Sequence, residues 1–501
     1  MNPRQRRKYF ETLSPGSNVD HRGTLFDAAL LEALLEPLKD ASTGRPTFGV
    51  ARFEWATFSG KTDLYRSIFT DYALFEHATF EDAWFWDAEF KVRVSFDWAT
   101  FDSAEFHGAI FSGASFRGTN FGRMGPDFRK ATFGKDVSDF GPFTTEGVVD
   151  LSFATFQSEL NMEASALSVW CRGTRWESMA VLKLRYAILG MDGAILSAPV
   201  AITYYPSKFT VTADKPLNES VLHSDPRPKI LTLQSTDASS LVLTDVDLSR
   251  CGFIGAFNLD QLRIEGNCTF AETPQRRWLT RRRVLEEEHH WRALNSKNAD
   301  PPAGWIRGPY HPNPELSPKP AQLAATYRQL RKGLEDAKNE PEAADFYYGE
   351  MEMRRHDSLR PKGERVLLTL YWAFSGYGLR ATRGLVSLLL AMGLTTLLLM
   401  LVGLPANPRN PRTSGTVTVN RSIDVTTEDP GPGGVTPKEQ SDRFSWDRAK
   451  EAGLTTINSV VFRSAGQDLT LAGTFIEMTS RVVEPILLGL TLLAVRGRVK
   501  R

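Results

Sequence analysis

The sequence predicts a β-solenoid followed by an α-helical hairpin and two transmembrane helices. Three observations lead to this fold class. A phenylalanine recurs every five residues in the first third of the chain, two amphipathic helical patterns follow one another between residues 321 and 356, and two long apolar segments lie near the C-terminus. A five-residue period fits neither an α-helix, which repeats every 3.6 residues, nor a single strand, which repeats every two.

The five-residue period is clearest between residues 44 and 133, and most of its phenylalanines follow a small residue, usually alanine, by two positions. If each five-residue unit forms one straight side and then turns a corner, four units close a square coil with these two residues inside. Such coils stack at the interstrand spacing of about 4.8 Å. The phase slips by one residue between Phe90 and Phe96. The predicted core positions are Phe53, Phe58, Phe75, Phe80, Phe85, Phe90, Phe101, Phe106, Phe111 and Phe116.

This pattern resembles the pentapeptide-repeat family, whose units read Ala-(Asp/Asn)-(Leu/Phe)-X-X. The resemblance implies a right-handed quadrilateral β-helix. The sequence departs from the family pattern in favouring Phe over Leu and in rarely placing Asp or Asn between the two inward residues. Residues 134–272 are less regular, but LSFATF (151–156) and SLVLTDVDLSRCGF (240–253) restore the spacing. We therefore predict a solenoid over 44–272, with a separate small β domain over 134–272 as the alternative.

Composition and charge narrow the function classes. The chain has 501 residues, is 42% hydrophobic and 24% charged, and carries a formal net charge of +1. This balance argues against a nucleic-acid partner, although the outward positions between Glu54 and Glu105 are mostly acidic and some pentapeptide-repeat proteins mimic DNA with such a surface. The three cysteines form no CxxC pair, so we expect buried thiols.

The helical middle follows a short N-terminal segment with one helix (1–43) and the solenoid. Residues 273–320 predict a charged, solvated helix and a Pro-rich linker. Glu286 and His290 have the spacing of a metal pair but lack a third ligand, so no metal is expected. Residues 321–380 predict a tetratricopeptide-like hairpin, which should pack on the solenoid end or on a partner, and a juxtamembrane helix.

The C-terminal part predicts a two-helix membrane module. Its segments are a first transmembrane helix (381–404), a flexible extracytoplasmic loop (405–446), a short amphipathic helix (447–468), and a second transmembrane helix with a basic tail (469–501). Basic clusters flank the two helices on the same side, so both termini are expected in the cytoplasm. The basic N-terminus is not followed by an apolar stretch, so no secretory signal is expected. Glu477, Arg481 and Glu484 form one helical stripe, which should be paired and should face protein or water, since charges in hydrocarbon are costly.

The order of these C-terminal segments resembles the two-helix pore module of bacterial ion channels. The segment RSAGQD, with Arg463, stands where a carbonyl filter would be, so we expect conduction to be lost. No nucleotide-binding, hydrolase or metalloprotease motif is present, so we predict no enzyme and no cofactor. The predicted function is a scaffold or partner-recognition protein of the bacterial inner membrane, with a protein partner on the solenoid or hairpin and self-association through the membrane helices. A gated pore and a membrane-associated oxidoreductase are the alternatives.

Overall fold

A computed structural model describes residues 3–134, 136, 138–212, 215–223, 225–274, 281–295, 304–308, 318–405, 412–417, 423–428, 443–461 and 469–499. The chain divides into two compact units, residues 1–353 and 354–501. The first unit begins with α1 (Pro3–Phe10), β1 (Ser17–Asp20), β2 (Leu25–Phe26), α2 (Ala28–Leu35) and a 3-10 turn (Glu36–Leu38).

The solenoid strands that follow are β3 (Thr47–Arg52), β4 (Thr57–Asp63), β5 (Ile68–Phe69), β6 (Ala73–Leu74), β7 (Thr79–Trp84), β8 (Glu89–Ser95), β9 (Thr100–Glu105), β10 (Ile110–Ser115), β11 (Pro126–Asp127), β12 (Thr132–Phe133), β13 (Ser138–Thr144), β14 (Val148–Asp150), β15 (Thr155–Phe156), β16 (Leu160–Ser165), β17 (Ser168–Trp170), β18 (Arg175–Trp176), β19 (Ala180–Arg185), β20 (Ile188–Gly190), β21 (Ile195–Leu196), β22 (Val200–Tyr204), β23 (Thr210–Thr212), β24 (Lys215–Pro216), β25 (Lys229–Thr232), β26 (Leu241–Thr244) and β27 (Arg263–Glu265). Apart from the antiparallel pair β23–β24, these strands pair in parallel with the coils before and after them and build a β-solenoid of about ten turns.

The predicted fold class is confirmed, and the structure explains the phase slip seen in the sequence. Phe48, Phe69, Phe90 and Phe111 lie directly opposite one another in successive coils, 21 residues apart in each case. Four sides of five residues would need only twenty, so one side of each coil has six residues. The step from Phe90 to Phe96 is such a side.

The core consists of columns of stacked rings along the solenoid axis. In the column from Phe48 to Phe133, ring centroids lie 4.8–5.2 Å apart and the planes are within 11° of parallel. Parallel strands at about 4.8 Å set this spacing, so each inward ring meets the ring of the next coil. Leu64 and Phe69, which the five-residue pattern skipped, lie between Phe58 and Phe75 in the sequence. Both side chains point into the core, with 1% and 0% of their surface exposed.

The solenoid differs from the sequence-based boundaries at its N-terminal end. β1 already pairs with β3, and β2 with β4, so a first coil precedes residue 44. Val19 and Phe26 fill its interior without keeping the five-residue spacing, which hid the coil from the sequence.

In the less regular half, β13–β22 and β25–β27 continue the same parallel sheets, so residues 134–272 form further coils of one solenoid. A longer excursion, which contains β23 and β24, separates β22 from β25. It is fastened by a buried ion pair between Arg185 Nε and Glu219 Oε1 at 2.8 Å.

The solenoid end is covered by β28 (Ala271–Glu272), β29 (Arg283–Val284) and α3 (Glu286–Asn295), followed by the hairpin α4 (Pro320–Asp336) and α5 (Glu340–His356). The rings of Phe270 and Phe346 meet edge to face at 4.9 Å, and Lys332 pairs with Asp260 at 2.8 Å. The hairpin therefore buries its apolar stripe against the last coil.

The prediction of a solvated helix in 273–320 is wrong. Residues 283–284 are a strand, and α3 begins only at Glu286, with Glu287, Glu288 and His289 buried. Burial is possible because the Glu288 carboxylate is fully paired, as described below. Most of the Pro-rich linker lies outside the described residues.

The second unit contains α6 (Lys362–Ser375), α7 (Ala381–Leu398) with a π-helical extension (Leu399–Gly403), the antiparallel strands β30 (Arg412–Val417) and β31 (Ile423–Glu428), α8 (Trp446–Val461) and α9 (Leu471–Val499). The spans Ala381–Gly403 and Leu471–Arg496 are long and apolar enough to cross a membrane. The two helices pack antiparallel through small residues, since Gly384 lies against Thr491 and Gly403 against Gly473.

The sequence predicted a flexible loop between the two spans, but part of this loop forms a regular strand pair. β30 and β31 pair over six residues each, and both contain several Thr, Val or Ile residues, which favour extended backbone. The filter-like segment RSAGQD lies outside the described residues.

Candidate functional site

The predicted core phenylalanines are placed inside the solenoid. All ten positions from Phe53 to Phe116 named above are 0–1% exposed. They form the apolar interior of the solenoid, so the outward positions alone face solvent.

The outward feature with the most regular geometry is a column of aromatic rings at one corner of the first coils. We call Trp55, His77 and Trp98 the ring ladder. The ring planes of Trp55 and His77 are 8° from parallel with centroids 3.9 Å apart, and those of His77 and Trp98 are 6° from parallel at 6.1 Å. Trp55 is 64% exposed. His77 and Trp98 are half-buried, so the ladder presents the Trp55 ring and part of the two rings stacked on it to solvent.

The backbone positions the ring ladder. Each ladder residue occupies the corner of a β-turn with positive φ, between 58° and 62°, and its amide N–H donates to the next coil, as from Trp55 to the Glu76 carbonyl at 2.9 Å. The ladder ends at Gly118, where a Cβ would lie 2.8 Å from the Trp98 ring. A side chain at Gly118 would therefore push this ring out of its stack.

A column of carboxylates runs beside the ring ladder, because the residue before each ring is acidic. We call Glu54, Glu76 and Asp97 the acidic column. Burial, and to a lesser extent the charges of Glu54 and Asp97, raise the pKa of Glu76, against a lowering hydrogen bond from Ser95. One buried carboxylate oxygen each of Glu54 and Glu76 has no hydrogen-bond partner among the described residues. A cationic group beside the acidic column would therefore stabilise its ionised carboxylates.

A second outward feature is an open groove of about 860 Å³ along the corners that follow β14, β17, β20 and β25. The Phe153 ring lies over Gly173 and the Trp170 ring over Gly190, so missing side chains in one coil make room for rings of the coil before it. Asp150, Arg172 and Asp192 add charge at its rim. Asp192 already accepts a hydrogen bond from Thr232 at 2.9 Å.

A buried ionic cluster joins α3 to the hairpin. Glu288 accepts from Arg282 Nη2 at 2.6 Å, from Arg292 Nε at 2.6 Å and from the Tyr327 hydroxyl at 2.5 Å. Burial alone would raise the pKa of Glu288, but the two guanidinium groups outweigh it and lower the pKa to about 2. The Tyr327 hydroxyl in turn accepts from the Leu285 amide at 2.9 Å. This cluster was not predicted from the sequence, because its members are up to 45 residues apart.

The predicted helical stripe of Glu477, Arg481 and Glu484 is only partly brought together. Arg481 Nη2 donates to Glu477 Oε1 at 2.7 Å, as expected for side chains one helical turn apart. Glu484 is buried and does not join this pair; it faces Thr395 of α7 instead. α8 contacts both spans through hydroxyl pairs, Ser459 with Ser480 at 2.8 Å and Thr396 with Thr456 at 3.2 Å.

The predicted metal pair and the three cysteines all lie in the first unit. Glu286 and His290 lie 3.2 Å apart, but no group of three or more side chains that could hold a metal occurs among the described residues. Cys171, Cys251 and Cys268 are buried, and burial raises the pKa of each thiol.

Comparison with known proteins agrees with the coil geometry. Residues 92–123, which run from within β8 through β9 and β10, match the sequence model of the family described as pentapeptide repeats, in eight copies. No curated protein matches the chain. The chain is therefore similar to pentapeptide-repeat proteins over these coils, and the structure extends the same stacked architecture well beyond the matched residues.

Proposed function

We propose that this protein is a membrane-anchored scaffold that binds a protein partner through the outward surface of its first solenoid coils. The observation that carries this proposal is the ring ladder, an aromatic stack that ends in the exposed Trp55 ring and is held by backbone hydrogen bonds between coils. Trp and other aromatic side chains dominate protein interfaces because they bury a large area at small conformational cost.

The rigidity of the ladder supports a recognition role. Its rings need no rearrangement before binding, so little entropy is lost on association. The acidic column favours a partner segment with Lys or Arg side chains, which could both stack on the rings and pair with the carboxylates. The chemistry of the site is that of binding, and no step of covalent catalysis is assigned to it.

The two C-terminal spans supply the proposed anchor. Because they are antiparallel, residues before α7 and after α9 lie on one side of a bilayer. Arg380 and Arg383 precede or begin the first span, and Arg496 ends the second. An excess of basic residues marks the cytoplasmic side, so we place the solenoid in the cytoplasm at the inner membrane.

Membrane anchoring is tested by alkaline carbonate extraction of cell membranes. The full chain should stay in the pellet, and a chain ending at Met353 should be released. Release of the full chain would refute the anchor.

Partner binding is tested with a photo-crosslinking amino acid at Thr57, beside the ladder. Crosslinked products from native membranes should disappear in Trp55→Ala and remain in Phe153→Ala, a matched exposed aromatic on a different corner. Products that are insensitive to Trp55→Ala would place the partner elsewhere.

A pore is the second candidate, favoured by the contacts of α8 with both spans. A short helix between two spanning helices is the arrangement of pore modules. Purified protein in planar bilayers should show discrete conductance steps if this candidate is right, and a silent bilayer would leave the anchor role alone.

A further inference from the structure

Helix α6 has its apolar side turned outward. Val366, Leu367, Leu370 and Phe374 are 59%, 67%, 49% and 40% exposed. At 100° per residue these four side chains lie within about one third of the helix circumference. A helix of a soluble protein buries such a face.

The opposite side of α6, which carries Glu364, Arg365 and the buried Leu368, faces the protein. Glu364 accepts hydrogen bonds from Arg354 at 2.9 Å and from Arg360 at 2.6 Å. Arg365 Nε donates to the Arg355 carbonyl at 3.3 Å. Two of the three charged groups of α6 are thus paired within the unit, while four of its large apolar side chains are left outside, which is not the pattern that water selects.

The position of α6 next to the first span identifies what covers this face. The Ser387 hydroxyl donates to the Phe374 carbonyl at 3.3 Å, and Arg383 Nη1 donates to the Trp372 carbonyl at 3.5 Å. Ser387 lies six residues into the span, which at 1.5 Å per residue is about 9 Å from its start. The C-terminal end of α6 therefore lies level with the first two turns of α7.

Helix α6 is too short to cross the bilayer as a third span. The 14 residues of α6 extend about 21 Å, which is short of the ~30 Å hydrocarbon core. The outward side chains of α7, including Leu389 and Leu390 at 58% and 70% exposure, are apolar as well. The same medium that covers α7 can continue onto α6.

We propose that α6 is an interfacial helix, which lies in the plane of the bilayer with Val366, Leu367, Leu370 and Phe374 among the acyl chains just below the headgroups. This inference rests on the proposed membrane anchor. The partner is the lipid surface itself, on the side where the chain approaches the first span. Apolar faces of such helices sit about 5–10 Å below the headgroup boundary, and Trp and Arg side chains are typical of this depth.

The test uses the full chain in liposomes of phosphatidylcholine and phosphatidylglycerol, with an environment-sensitive fluorophore on one introduced cysteine. Leu367→Cys probes α6, Leu390→Cys probes the span, and Met124→Cys, which is 72% exposed on the solenoid, probes water. The three native cysteines are buried, and the parent chain measures any background labelling. Quenchers are lipids with a nitroxide near the headgroup, lipids with a nitroxide deep in the acyl chain, and aqueous iodide.

We expect the shallow nitroxide to quench the probe at 367 roughly twofold more than the deep one does, with little effect of iodide. The probe at 390 should favour the deep nitroxide, and the probe at 124 should respond to iodide alone. If 390 responds to lipid quenchers while 367 responds only to iodide, the anchor stands and the interfacial helix is refuted.

Two other outcomes would also overturn the proposal. If neither 367 nor 390 responds to lipid quenchers, the membrane anchor itself fails. If 390 responds but 367 is shielded from lipid and iodide alike, protein covers α6. Dilution of the chain in the liposomes would then identify a second copy by restoring quenching at 367.

Discussion

Replacement of Phe85 by alanine tests the coil geometry most directly. The Phe85 side chain is 0% exposed, and its ring stacks on Phe106 at 5.2 Å and meets Phe75 and Phe96 edge to face at 5.7 and 5.5 Å. The coils cannot close the resulting cavity, because hydrogen bonds between strands fix their spacing. Loss of a buried Phe side chain costs about 3–5 kcal/mol, and we expect Phe85→Ala to lie within this range.

Phe153→Ala is the matched control. Phe153 is the same residue type in the same solenoid, but it is 55% exposed at a corner. Its φ of 61° is equally unfavourable for phenylalanine and alanine, so the backbone contribution nearly cancels. Only partial contact with Gly173 is lost, and the cost should stay below about 1 kcal/mol.

The assay is urea unfolding of residues 1–353, monitored by far-UV circular dichroism. Thermal unfolding is measured in parallel. At roughly 2 °C per kcal/mol for a large domain, Phe85→Ala should lower the melting temperature by about 6–10 °C and Phe153→Ala by less than about 2 °C. Equal shifts for the two variants would refute the assignment of inward and outward positions.

Three further predictions concern the charged groups and the topology. Because the folded-state pKa of Glu288 is about 2, below its ordinary value of 4.5, its ion pairs stabilise the fold above about pH 4.5 and lose this effect as pH falls toward 2; urea unfolding of residues 1–353 at several pH values should show this loss, and an unchanged pH dependence in Glu288→Gln would contradict it. Arg481→Leu leaves the buried Glu477 unpaired and should destabilise the protein in detergent by about 3–5 kcal/mol. The double variant Glu477→Gln/Arg481→Leu should be destabilised less. Equal melting temperatures of the single and the double variant would argue against the ion pair. A cysteine at Asp424 should react with a membrane-impermeant maleimide in intact spheroplasts and one at Ser17 should not; the reverse pattern would invert the proposed orientation.

Periodicity and apolar length were readable from the sequence because each depends on local spacing. The recurrence of Phe with a small residue two positions earlier is a property of neighbouring residues, and it was enough to predict coils with an aromatic interior. The 21-residue segment from Gly384 to Leu404 carries no charged residue, so its ability to span a bilayer needs no tertiary information.

Long-range placement was decided only by the tertiary structure. The Glu288 cluster unites residues from α3 and α4 with Arg282, which precedes β29. The charged stretch around it resembles a solvated helix until its partners are known. Phe69 and the first coil were missed because interior positions in a solenoid are defined by the coil above and below, which allows sides of six residues and residues other than Phe.

The surfaces that carry function belong to this second class. Trp55, His77 and Trp98 are 21 or 22 residues apart in the sequence, and they stack only because each coil returns the chain to the same corner. The outward apolar face of α6 looks like an ordinary amphipathic stripe in the sequence. Amphipathic periodicity determines that a helix has two faces, but only packing against neighbouring elements decides which face is left outside.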